Sequence, residues 1–113
     1  MTEPNLKAEV TQLHANLCSA ISDPRRILLL YAIHDQPRNV TRLAEIVEIS
    51  QPAASRHLNL LRERGLVEPH REGSSVIYTL TDPRLITALD LLRDVLFKRL
   101  EDRAGLLPHQ PEN

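Results

Sequence analysis

The chain has 113 residues with 14 basic and 15 acidic side chains, a formal net charge of −1. One domain is expected over residues 1–113, with an ordered core over residues 6–103 and flexible tails. The near-neutral balance counts against a non-specific nucleic-acid binder, and the one cysteine, Cys18, excludes an intrachain disulfide or a multi-cysteine metal site within one chain. No apolar run is long enough to span a bilayer and no leader pattern opens the sequence, so a cytoplasmic protein with no membrane partner is the expectation.

Residues 1–4 are expected to be disordered. From Leu6 to Ser22 the apolar positions Leu6, Val10, Leu13, Leu17, Ala20 and Ile21 fall three or four apart, the spacing of one amphipathic helix. Asp23 and Pro24 restart the chain as an N-cap and first helical residue. The second helix is expected to reach His34 with Ile27, Leu28, Leu30 and Tyr31 inward. Asp35-Gln36-Pro37 reads as a turn, and Arg38–Val40 as a very short strand. Thr41 is expected to cap a third helix through Glu48, with Leu43, Ala44, Ile46 and Val47 apolar. Glu48-Ile49-Ser50 is then a tight turn into the next helix.

That next helix, Ser50–Gly65, carries the most information. Ser50 is a good N-cap, Pro52 fits the first turn, and Gly65 suits the position just past a helix end. Ala54, Leu58 and Leu61 recur at helical spacing and give one apolar face. Gln51, Ser55, Arg56, His57 and Asn59 are short or forked hydrogen-bonding residues near the helix start. A helix buried on one side with polar groups at its N-terminal end is what major-groove reading needs. An ordinary amphipathic surface helix is the alternative for this segment taken alone.

Past Gly65 the period changes. Leu66–Glu72 reads as a strand, with Pro69 indicating an edge or a bulge. Gly73-Ser74-Ser75 is a turn, and Ser75–Leu80 alternates with β-branched and aromatic residues, as its partner strand would. Thr81-Asp82-Pro83 caps a last helix whose apolar face is Leu85, Ile86, Leu89, Leu92, Val95, Leu96 and Leu100, ending at Arg103. The residues from Gly105 to Asn113 read as a frayed tail. The fold class expected is mainly α with a small β-hairpin, a winged helix-turn-helix. The long apolar stripes of the first and last helices pack either on each other within one subunit or on a second copy, and their excess over one small core favours a homodimer through these two helices.

This order of elements now has residues to carry a resemblance. Ser22-Asp23-Pro24-Arg25-Arg26-Ile27-Leu28, Ser50-Gln51-Pro52-Ala53-Ala54-Ser55-Arg56-His57-Leu58, Gly65-Leu66-Val67 and Arg71-Glu72-Gly73 through Tyr78 resemble the ArsR/SmtB family of bacterial repressors. The resemblance covers residues 15–100. It implies a winged helix-turn-helix homodimer that binds a double-stranded DNA operator as a repressor and is released by an inducer. It also implies a dimer interface built from the first and last helices.

Candidate DNA contacts are Ser50, Gln51, Ser55, Arg56, His57 and Asn59 on the helix, and Arg71, Ser74 and Ser75 on the hairpin. Gln51 and Asn59 suit adenine edges, and Arg56 suits guanine or a phosphate. Ser50 is either a contact or a cap alone, and His57 either a contact or a packing residue. Arg71, Ser74 and Ser75 suit phosphate or the minor groove. Arg25 and Arg38 are placed for backbone contacts but read as solvated arginines.

Metal sensing in the resembled family uses cysteines at the start of the third helix, where this chain has Asn39 and Thr41 with Arg42 beside them. A second family site uses carboxylate and histidine pairs on the last helix, where this chain has Asp90, Asp94, Glu101 and Asp102 and no histidine. Those acids read as a solvated face. His14 and Cys18, at i and i+4, are the weak metal candidates, since two copies would supply two nitrogens and two sulfurs. The competing reading is a buried small Cys beside an exposed His, and no cofactor is expected. A protein-interaction module without DNA contacts is the alternative function, favoured only by the near-neutral charge. An enzyme is not expected, because no phosphate loop, HExxH or ordered nucleophile–His–acid set occurs.

Overall fold

The computed structural model describes residues 3–104. Of the tails expected at residues 1–4 and 105–113, residues 1–2 and 105–113 lie outside the described residues. The chain divides into two compact units, residues 1–82 and 83–113. Among the described residues no helix is long and apolar enough to cross a membrane.

The first unit opens with α1, Glu3–Leu13, which begins three residues earlier than the expected onset at Leu6 and takes in residues 3 and 4, expected to be disordered. The single helix expected through Ser22 is interrupted. His14–Cys18 forms a π-turn closed by Ser19 N–H to His14 O at 3.0 Å, and Ala20–Ser22 a 3₁₀ turn. Apolar spacing of three and four does not distinguish these three helical forms, so the interruption left no mark in the pattern. Helix α2, Pro24–Asp35, starts at Asp23, whose carboxylate accepts from Arg25 N–H at 2.8 Å. Its buried residues are Leu29, Leu30, Ala32 and Ile33, whereas Leu28 is exposed. The run Ile27–Ile33 is apolar at nearly every position, so periodicity alone chose the wrong leucine.

Strand β1, Arg38–Asn39, leads into α3, Val40–Val47. Asn39, not Thr41, is the cap: its side-chain oxygen accepts from Arg42 N–H at 2.9 Å. Glu48 ends α3 in the left-handed region at φ 65°. Its N–H bonds to Glu45 O at 3.2 Å and the next N–H, of Ile49, to Ala44 O at 3.0 Å, which is the paired closure of a Schellman turn. Helix α4, Gln51–Glu63, follows and closes the same way through Gly65 at φ 77°. Gly65 N–H reaches Arg62 O and Leu66 N–H reaches Leu61 O, both at 2.9 Å.

Strands β2, Val67–Glu72, and β3, Ser75–Leu80, pair antiparallel, and β1 adds to the far side of β3. Pro69 therefore sits on an edge strand, where its missing N–H removes no inner ladder bond. Glu72 faces Ser75 across the turn, and Gly73 takes φ 62° at the first central position, which suits a type II′ hairpin. The core of this unit lies where α2, α3, α4 and the sheet meet. Leu29, Leu30, Leu43, Leu58, Leu61 and Val67 are its fully buried large side chains. Each contributes about 1.5–3 kcal/mol of burial energy, which locks α4 to the scaffold by one face.

The second unit is α5, Arg84–Ala104. Ile86 and Leu89 are buried, whereas Leu91, Leu92, Val95, Leu96, Phe97 and Leu100 are all exposed in one chain.

Candidate nucleic-acid interface

The cap and the closure described above set which side of α4 faces outward. Ser50 Oγ accepts from Ala53 N–H at 3.1 Å, so its oxygen is engaged as the cap and its O–H remains a donor. Gln51, Ser55 and Asn59 follow each other at i, i+4 and i+8, which stacks them in one row along the helix. Gln51 and Asn59 are exposed and Ser55 is half-buried at the edge of the row. Arg56 flanks the row, exposed, and among the described residues no hydrogen bond or ion pair holds its guanidinium. The row begins at the N-terminal end of α4, where the helix carries partial positive charge.

His57 does not belong to that row. It falls three residues after Ala54 and four before Leu61, on the side that faces the core, and it is half-buried. Its Nδ1 lies 3.2 Å from Nη1 of Arg26. Burial first, and then the nearby charges of Arg25, Arg26 and Arg56, lower its pKa from 6.5, against an opposing pull from Asp23. The structure thus brings together Ser50, Gln51, Ser55, Arg56 and Asn59 and sets His57 apart.

The wing supplies the second half of the surface. Arg71 and Ser74 are exposed at the β2–β3 tip and Ser75 is half-buried. Like Arg56, Arg71 has no partner among the described residues. Arg25 and Arg38 are occupied. Arg25 binds its own cap, Asp23, at 2.9 Å, which with the Arg25 backbone N–H holds that carboxylate far below its ordinary pKa. Arg38 was expected to be solvated. Instead its side chain is 15% exposed and bound to Asp35 and to Ala32 O.

His14 and Cys18 lie at the two ends of the π-turn and are both exposed, so the reading of Cys18 as a buried core residue is corrected. Among the described residues no group of three His, Cys, Asp or Glu side chains could hold a metal ion. Sequence reasoning missed Arg26 and Arg64, which tie α4 to the turn ending α1. An arginine in an apolar-periodic segment carries no sign of which distant carbonyl it will reach.

Comparison with known proteins fits this geometry. The profile of a family described as "Bacterial regulatory protein, arsR family" matches residues 23–69, from the Asp23 cap to the first residues of β2. The chain is 37% identical over 76 residues to the HTH-type transcriptional regulator NmtR of Mycobacterium tuberculosis, covering 67% of this chain and 63% of that protein. It is 32% identical over 92 residues to the nodulation protein NolR of Rhizobium meliloti, covering 81% of this chain and 75% of the relative. A solved homodimeric winged helix-turn-helix DNA-binding domain from Mycobacterium bovis, a possible ArsR-family regulator, superposes with a TM-score of 0.76. That match covers 97% of each chain at 24% identity, a likeness of fold.

Proposed function

This chain belongs to the arsR family of bacterial regulatory proteins and is a winged helix-turn-helix DNA-binding regulator, and we propose that it acts as a homodimeric repressor whose two α4 helices read paired half-sites. The observation that carries this reading is the row Gln51, Ser55 and Asn59, exposed at its two ends, with the unpaired Arg56 beside it. Gln and Asn match adenine edges, and a free guanidinium matches guanine O6 and N7 or a phosphate. Ser50, at the start of the row, keeps a hydroxyl proton for the backbone, and Arg71 with Ser74 and Ser75 sits on the wing as a clamp on the flanking duplex. The net charge of −1 suits a reader that depends on local charge rather than a general one.

Dimerisation is supported by the apolar side chains that one chain leaves in solvent. Leu6, Val10 and Leu13 on α1 and the six large residues of α5 are exposed, more than scattered surface leucines would explain. Repression follows from occupancy of the operator, and an inducer that favours the unbound state lifts it. The reading implies a cytoplasmic protein without catalytic activity. It does not favour the protein-interaction module, which has no need of a free Arg56 beside a row of amide side chains.

The test is an anisotropy titration of the gene's own upstream duplex against a scrambled duplex of the same length, at fixed salt. The upstream duplex binds at least about 10³-fold tighter if α4 reads sequence. Equal affinities would leave only a charge-driven binder and defeat the proposal.

A further inference from the structure

The irregular segment that ends α1 is held by two arginines from elsewhere in the fold. Neither the π-turn nor the 3₁₀ turn has a basic residue in its last turn. The carbonyl end of a helix carries partial negative charge, and here the cations arrive through tertiary structure. Arg64, the C-cap residue of α4, places Nη1 2.7 Å from Ala15 O and 3.3 Å from Asn16 O, and also donates to Ser19 Oγ. Arg26 of α2 donates from Nε to Ala20 O and from Nη2 to Ser19 O at 3.3 Å.

The Arg26 guanidinium has a third contact, Nη1 with His57 Nδ1 at 3.2 Å. Arginine has donors only, so Nδ1 must accept, and the ring is neutral with its proton on Nε2. The segment His14–Ser22 is thus tied to α4 at two points, through Arg26 at His57 and directly at Arg64. These points are about two helical turns apart, enough to fix the direction of α4 as well as its position. All three side chains are half-buried, where charge-assisted hydrogen bonds are stiffer than at the surface.

We propose that Arg26, His57 and Arg64 are positioning residues that set the pose of α4 on DNA according to the geometry of the turn His14–Ser22. The proposal rests on the reading of α4 as the DNA-recognition helix. A π-turn is an uncommon form that can revert to ordinary helical bonding. Reversion would move the Ala15 and Asn16 carbonyls, and with them Arg64 and the end of α4. Coupling of this kind is reciprocal, so DNA held by α4 must also stiffen the turn.

Amide hydrogen exchange on the full chain, free and with the upstream duplex, tests this in wild type, Arg64→Ala and Arg64→Lys. In wild type, DNA slows exchange at Ser19 and Ser22, whose N–H groups close the two turns. Arg64→Ala weakens DNA binding about tenfold and abolishes that slowing, with dimer mass and helical content unchanged, and Arg64→Lys restores part of both. His57→Gln tests the other tie and carries the experiment if Arg64→Ala does not fold. Unchanged exchange at residues 14–22 when wild type binds DNA would overturn the coupling alone. Full affinity with retained slowing in Arg64→Ala would do the same. A wild-type protein that shifts no DNA would overturn the DNA reading, and the coupling with it.

Discussion

Four single residues carry separable roles. Replacing Arg56 by Ala should weaken operator binding by roughly 1–3 kcal/mol without changing thermal stability, because the side chain is exposed and unpaired. Ser50 divides into two functions that substitution can separate. Ser50→Asp keeps an oxygen for the Ala53 N–H and places an anion beside phosphate, so stability holds while DNA affinity falls; the melting curve and the titration read the two effects. Glu48 holds a left-handed φ of 65° that a side chain disfavours. Glu48→Gly should therefore raise stability by up to about 1 kcal/mol in urea unfolding, and Glu48→Val should lower it. His57 sets a pH dependence. Its pKa is depressed in the folded state by burial, so the unfolded chain takes up the proton first as pH falls below 6.5. Stability is full above that pH and declines below it. Asp23, also depressed, acts in the same direction in a lower window, below its ordinary 3.8. The melting temperature should therefore fall more in wild type than in His57→Gln between about pH 7.5 and 5.5; parallel curves would contradict the buried neutral ring.

At the scale of elements, much was legible because the chain marks its boundaries with side chains that have local reasons to be there. The Asp23-Pro24 start of α2, the Ser50 cap of α4 and Gly65 beyond its end all follow from bonds made within a few residues, and the extent of β3 from its alternating β-branched and aromatic run. The reading row on α4 was legible for the same reason, since i and i+4 spacing fixes a face once helix ends are known. What was not legible depended on choices between near-equal local solutions or on distant partners. Asn39 and Thr41 are both capping residue types, and β1 pairing with β3 decided in favour of Asn39. His57 could belong to either face until Arg26 claimed its Nδ1. The breakdown of the first helix into π and 3₁₀ turns is accompanied by Arg64 and Arg26 reaching its carbonyls, contacts spanning up to 49 residues that no window of sequence contains.

The whole molecule is defined by what a single copy leaves undone. Three large apolar side chains of α1 and six of α5 stand in solvent, and two copies would cover them while presenting two recognition helices. Introducing a charge at Leu96 (Leu96→Glu) should shift the sedimentation mass from dimer toward monomer and weaken DNA binding with it; a dimer of unchanged stability would exclude this part of α5 from the interface. A dimer with two-fold symmetry must in turn leave a symmetric mark on DNA. Hydroxyl-radical footprinting of the upstream region tests the central claim most directly. The account predicts two equivalent protected half-sites about one helical turn apart, both weakened equally by Arg56→Ala. A single unpaired footprint, or protection that Arg56→Ala leaves intact, would contradict it.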